Sequence, residues 1–301
     1  MRRQLSRVIA ICWAAVFVGA AGCGSERMPV VYVDLNDASV QEKIEQVRAG
    51  GGGSGTDSVQ PAAQGTGWGT LKGVFKYDGQ PPQLPPLLTG GKDARVGGQV
   101  VCGDSVVNEA LVVDPANQGI ANVLIFARKV SRVRDEAADA AQPVFDQKEC
   151  HFLSHVMGVQ TGAEIIIKNS DPVGHNTSIA PTGDEGVNRL LAPGGETTYT
   201  FNRAQTNPVP VTCDVHKWMR AFILPRSDPY FAVTASDGSF EITDLPAGED
   251  IEFQIWHEMA GGSGGGLEAK PEWSRGRITL RVPENGVEDL GTVLVPAAAF
   301  Q

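Results

Sequence analysis

Catalytic signatures are what this chain lacks. Its 301 residues contain no His-Glu-x-x-His pair and no Gly-Lys-Ser/Thr phosphate loop, and the one Gly-x-Ser-x-Gly string, Gly261 to Gly265, lies inside the glycine run GGSGGG with no helical pattern after it and so is no elbow. This argues against the common hydrolase, zinc peptidase and nucleotide-binding classes. Histidine is scarce, and five imidazoles in all cannot supply the paired ligands of a multinuclear oxidase. Positive charge is also short. Lys and Arg number 25 against 35 Asp and Glu, a formal net charge of −10, which argues against a nucleic-acid partner and against adsorption on anionic headgroups. After the N-terminal stretch no apolar run reaches eighteen residues, so no further helical bilayer span is expected.

What the N-terminus does have is an export pattern. Arg2, Arg3 and Arg7 precede an apolar segment from Val8 to Val18 and then small residues up to Gly22, the layout of a secretory signal. Ala20-Ala21-Gly22-Cys23 resembles the lipobox of bacterial lipoproteins, which implies cleavage of residues 1–22, acylation of Cys23 and attachment to a membrane; a soluble secreted protein cleaved nearby is the alternative. Gly24 and Ser25 follow, without the Asp that marks inner-membrane retention in enterobacterial lipoproteins, so a lipid anchor in the periplasm, at the outer membrane, or on the cell surface is expected. Residues 23–66 read as a tether: a short helix around Ala38 to Val47, then the flexible AGGGGSGTDSVQPAAQGTG.

From Trp68 the chain becomes a series of short strands separated by turn residues, with 36 Gly and 19 Pro in the whole sequence. LKGVFKYDG, ANVLIFARKV, VMGVQTGAEIIIKNSD, TTYTF, PVPVTC and AFILP predict an all-β sandwich over residues 67–225. The charged RVRDEAADAAQ is read as an excursion over one edge. A second alternating pattern, PYFAVTASDGSFEITDLPAGEDIEFQIWHE, turns at Asp237-Gly238 and at Pro246-Ala247-Gly248. It predicts a smaller sandwich over residues 226–301, with GGSGGG at 261–266 as a mobile loop.

The chemistry concentrates in CDVHKWM. Cys213, His216 and Met219 offer a thiolate, an imidazole and a thioether from one loop, and His175 stands 38 residues earlier in NSDPVGHN. Two imidazoles and a thiolate with a weak axial Met sulfur are what a mononuclear type 1 copper site needs. Cysteine counting supports a free Cys213: Cys12 leaves with the leader and Cys23 is the acylation site, so export favours pairing Cys102 with Cys150. The alternative pairs Cys213 with one of them and loses the copper site. His151 and His155, about 13 Å apart on an extended strand, cannot share one ion and are read as structural imidazoles. His257 is read as a surface or interdomain contact.

These motifs carry two resemblances. The stretch from Phe152 through VMGVQTGAEIIIKNSDPVGHNTS, with GGETTYTF and CDVHKWM, resembles the cupredoxins, and the Cys-x-x-His-x-x-Met spacing is similar to that of amicyanin. Asp237, Gly238 and Phe240 with Leu245, Pro246 and Gly248 resemble the carboxypeptidase-regulatory-like, transthyretin-like module. Together they resemble exported bacterial lipoproteins of the methylamine-utilisation and planctomycete type. The resemblance implies a Greek-key cupredoxin sandwich holding one copper ion through His175, Cys213, His216 and Met219. Asn176 would brace the two loops and aim its N–H at the thiolate; Trp218 would shield the metal or offer a surface to a redox partner. The implied activity is one-electron transfer without catalysis. Copper storage or delivery is the alternative within copper chemistry, and a structural, adhesion or glycan-binding lipoprotein the alternative outside it.

Overall fold

The computed structural model describes residues 67–89, 102, 105–134 and 142–300. The signal segment, Cys23, the helix expected at 38–47 and the linker lie outside the described residues, as does most of the acidic, Ala-rich stretch. Among the described residues strands dominate, with only short 3-10 turns beside them.

The first strands are β1 (Trp68–Asp78), β2 (Leu88–Thr89), β3 (Ser105–Val106) and β4 (Leu124–Ala127). β1 buries every second residue, Leu71, Phe75 and Tyr77 among them, as one half-buried sheet face requires. Next come β5 (Val144–Lys148), β6 (His151–Phe152), β7 (Val156–Gln160), β8 (Glu164–Asn169), β9 (His175–Ile179), β10 (Val187–Leu191), β11 (Glu196–Thr200), β12 (Val209–Thr212) and β13 (Arg220–Arg226). The last are β14 (Phe231–Val233), β15 (Ser239–Pro246), β16 (Asp250–Trp256), β17 (Arg277–Arg281) and β18 (Val287–Pro296).

Pairing redraws the boundary expected at 225/226. β1 lies between β15 and β18, and β4 between β14 and β16. The two sheets β15-β1-β18 and β14-β4-β16-β17 share one core, in which Leu71, Phe75, Ile120 and Ile125 pack with Phe240, Ile251, Phe253 and Val293. LKGVFKYDG and ANVLIFARKV therefore belong with the C-terminal strands, and the second sandwich is built from both ends of the described chain. The other sandwich, β5 to β13, is inserted between β4 and β14. Its sheets run β10-β9-β12-β13-β7 and β11-β8-β5-β6 around Phe145, Phe152, Ile165, Ile167, Phe201, Val211 and Ile223.

The two sandwiches meet in a small apolar seam of Leu124, Phe126 and Trp256 against Val156, Phe222 and Leu224. Arg226 crosses beside it: its buried guanidinium donates to the carbonyls of Ala127 at 2.8 Å and Arg128 at 3.1 Å, with Asp228 at 3.5 Å neutralising the charge. Segment 261–266 is likewise held in place. Ser263–Gly265 forms a 3-10 turn, and Gly266 bridges Trp256. Gly265 has φ +79°, and a Cβ there would meet the Trp256 indole nitrogen at 2.2 Å, so this glycine serves close approach to the indole.

Candidate metal centre

The turn before β9 is built by its own polar side chains. Asn169, fully buried, donates its amide to the carbonyls of Val173, Leu191 and Ala192 at 2.8, 3.1 and 3.1 Å. Its carbonyl oxygen accepts the N–H of Asp171 at 3.0 Å. The Asp171 carboxylate also accepts the N–H groups of Glu149 and Cys150 at 2.6 and 2.9 Å, holding a turn in which both residues have positive φ. With both ends pinned, Asp171 reaches Nε2 of His175 at 2.6 Å. This fixes the ring and its tautomer, with Nε2–H donating to the carboxylate and Nδ1 directed the other way.

On that side waits the second loop, between β12 and β13. The N–H of Cys213 donates to the Met219 carbonyl at 3.2 Å, and the Met219 N–H to the His216 carbonyl at 2.9 Å. This tight closure turns Cys213 and His216 toward one point. Nδ1 of His175 stands 2.8 Å from Nδ1 of His216, and the Cys213 sulfur 3.9 Å from the latter. The donor atoms of His175, Cys213 and His216 all lie within 4.8 Å of one another, with all three residues buried. Two imidazole nitrogens facing each other must share a proton or a cation, because two lone pairs at this distance repel.

The thiol is prepared as an anion. Burial pushes its pKa up, but hydrogen bonds from the imidazoles of His175 and His216 and from the N–H groups of His216 and Asn176 overcome this and bring it down to about 5. Both N–H contacts to the sulfur measure 3.4 Å. For His175 burial favours the neutral ring, yet the bond to Asp171 and the neighbouring Cys213 raise its pKa. Asp171 itself is penalised by burial and still falls below its ordinary value, held by His175 and the two backbone donors. This donor set, one soft thiolate with two imidazoles, all three residues buried, fits copper better than a hard cation.

The other expected residues fall around this point. Met219 is 1% exposed and packs in the same apolar cluster as Cys213. Asn176 braces the loops: its side-chain oxygen accepts the N–H groups of Asp214 and Val215, and its amide donates to Asn188 at 2.7 Å and Asp214 at 3.0 Å. Trp218 lies over His216, ring centres 5.1 Å apart, and its indole N–H donates to the Cys150 carbonyl at 3.1 Å. Cys102 and Cys150 form a disulfide, and Cys213 is the free cysteine among the described residues. The disulfide sulfurs come within 4.8 Å of a His216 nitrogen, so the bridge walls the site.

Asp171 went unnoticed in the sequence, although its spacing of four from His175 within one turn was a readable signal. His155 is buried, and its Nε2 hydrogen-bonds to the Glu258 carboxylate of the other sandwich. Of the two readings of His257, surface group or interdomain contact, the first is overturned: it is 1% exposed, its Nδ1 accepting the Met259 N–H at 3.2 Å, and it lies within electrostatic reach of His155 in the inserted sandwich.

No family model matches this chain, and no curated protein does. Among solved structures, an oxidized amicyanin variant aligns at 18% identity over 34% of this chain and 98% of its own, with a TM-score of 0.26. Amicyanin from Paracoccus versutus gives 20% identity over 34% of this chain and 97% of its own, TM-score 0.26. A copper-containing nitrite reductase from Thermus scotoductus gives 16% over 33% and 25%, TM-score 0.27.

Proposed function

We propose that this chain is an exported cupredoxin-type protein carrying one type 1 copper ion for one-electron transfer. The observation that supports this most is the buried convergence of His175 Nδ1, His216 Nδ1 and the Cys213 thiolate, with Met219 closing the loop behind them. Copper bound there supplies a one-electron couple. The protein's part is to fix the donors before the metal arrives and to keep water out. Asp171 and Asn176 hold the two loops in register, so that little reorganises when the charge changes. One thiolate with the Asp171 carboxylate balances Cu(II), which keeps the cost of burying the charged site low.

Full burial of the ligands favours electron transfer over storage or delivery, because a delivering site must open to release its ion. Export, anchoring through acylated Cys23, a redox-protein partner and a non-enzymatic role belong to the same reading. The transthyretin-like sandwich acts in it as a scaffold.

Titrating the purified chain with Cu(II) tests the proposal. One equivalent should be taken up with intense thiolate-to-copper colour that bleaches reversibly on reduction. Cys213→Ser should lose the colour while keeping the far-UV spectrum of the β fold. Copper uptake only as Cu(I), without colour, would instead favour delivery.

A further inference from the structure

Beside the metal centre, on the side of Trp218 and Met219, lies a cavity of about 180 Å³ whose apolar walls include Leu87, Val106 and Ala110. It sits where the two sandwiches come together, and Glu258 of the second sandwich also lines it. Its polar edge is unusual. His155 is 8% exposed and uses Nε2 to bind the Glu258 carboxylate. A carboxylate accepts, so Nε2 carries the hydrogen, and in the neutral ring Nδ1 is the acceptor. That buried Nδ1 has no hydrogen-bond partner, the Glu109 carboxylate standing off at 3.8 Å. Nδ1 of His151, which lines the same cavity, is buried without a hydrogen bond too. Buried polar atoms are nearly always satisfied, so these two nitrogens point to a ligand that brings its own hydroxyl hydrogens.

The walls narrow the class. The volume is below the roughly 300–1,000 Å³ typical of drug-sized ligands, which leaves space for a single ring. Glu109 and Glu258 repel carboxylates and inorganic anions, and Arg220 on the lining repels organic cations. A flat apolar body between Trp218 and the aliphatic wall, with hydroxyl donors toward imidazole, describes a phenol. We infer that this cavity binds a small single-ring phenol or hydroquinone, and that this is the electron donor to the copper site; the donor assignment rests on the copper reading above, whereas the binding site does not. In the transfer step the O–H bond of the phenol breaks. Its proton would pass to Nδ1 of His155, and one electron would leave across the Met219 and Trp218 wall toward a copper ion held by His175, Cys213 and His216, whose chemistry is to take it up as Cu(II) becoming Cu(I). An aryloxyl radical and a protonated His155 beside Glu258 would remain in the cavity.

The first test needs no metal. The fluorine resonance of 4-fluorophenol should broaden and shift saturably on adding the full copper-free chain. Ala110→Leu, which fills the cavity from its wall, should weaken this at least tenfold, as should His155→Leu; if the latter fails to fold, Ala110→Leu carries the test. With copper loaded, hydroquinone should bleach the colour at a rate that saturates with its concentration. Ala110→Leu should slow that rate about tenfold and leave reduction by ferrocyanide, which the cavity would exclude, unchanged. Absence of saturable 4-fluorophenol binding, or equal binding by both variants, would overturn the site. Copper uptake without phenol binding overturns the site and the donor assignment with it and leaves the copper reading standing. Phenol binding lost in the variants, in a chain that takes up no copper, keeps the binding site and removes the copper reading.

Discussion

Asp171 is the residue whose charge most directly touches the candidate centre, 2.6 Å from the far nitrogen of His175. Removing that charge while keeping the hydrogen-bond shape should destabilise Cu(II) relative to Cu(I). Asp171→Asn is therefore expected to raise the reduction potential by on the order of 50 mV, about 1 kcal/mol for one electron, measured by spectroscopic redox titration; an unchanged or lowered potential would contradict the assigned role. His257 gives a prediction of a different kind. Burial and the nearby His155 push its pKa down from 6.5 to about 3, so the folded state keeps it neutral where the unfolded chain would protonate it. Its contribution is fully present above pH 6.5 and is lost as pH falls toward 3, at about 1.4 kcal/mol per pH unit for one proton. Urea unfolding of the copper-free protein at pH 6.5 and pH 5.0 should show a loss of about 2 kcal/mol from this residue, absent in His257→Gln. At this scale the sequence was most readable where ligands crowd into one loop. Cys213, His216 and Met219 are neighbours in the chain, and a loop that short must bring them together. The burial of His257 was hidden because it depends on Phe300, whose ring meets it edge-on with centres 5.2 Å apart, a contact across 43 residues.

Turns set the register of the elements, and the Asp237-Gly238 turn is the clearest case. Gly238 has φ +83°, and a Cβ there would come within 2.1 Å of the Phe75 carbonyl oxygen. That carbonyl accepts the Ile120 N–H at 2.9 Å, and the Phe75 N–H in turn donates to the Gly238 carbonyl at 2.9 Å. A side chain would thus force apart the place where β1, the 119–120 segment and the β15 turn meet. Gly238→Ala should cost on the order of 2–4 kcal/mol, in the range of backbone strain combined with overpacking, read as a lower denaturant midpoint. Metal uptake at the inserted sandwich should persist in conditions where the variant stays folded. A loss below about 0.5 kcal/mol, the level of an ordinary surface substitution, would show that the turn is free to relax. The turn was legible as Asp-Gly between alternating strands. The partner it turns against was not, because sequence alternation reveals that a strand has two faces without revealing which strand lies beside it.

The same limit explains the largest revision, the interleaving of the two sandwiches. The stretches VMGVQTGAEIIIKNSD, TTYTF, PVPVTC and AFILP do share one sandwich, as neighbours in sequence usually share space, whereas β5, β6, β9 and β10 were not singled out as strands. The strands β1 and β4 break that habit by pairing across more than a hundred residues. A truncation tests the consequence. Residues 67–225 would have been a complete domain under the sequence boundary, but in the structure that piece strips β1 of both β15 and β18 and β4 of both β14 and β16. It also exposes Leu71, Phe75, Ile120 and Ile125, each fully buried in the intact chain. Burying a large apolar side chain contributes about 1.5–3 kcal/mol, so uncovering four costs on the order of 6–12 kcal/mol, comparable to the total stability of a domain. Two strands unpaired on both sides then invite association. The fragment 67–225 should therefore aggregate or bind a hydrophobic dye strongly, whereas 67–301 should elute as a folded species from size exclusion. A soluble 67–225 fragment with native-like amide protection in β1 would show instead that the first strands fold without their C-terminal partners, and would restore the boundary at 225.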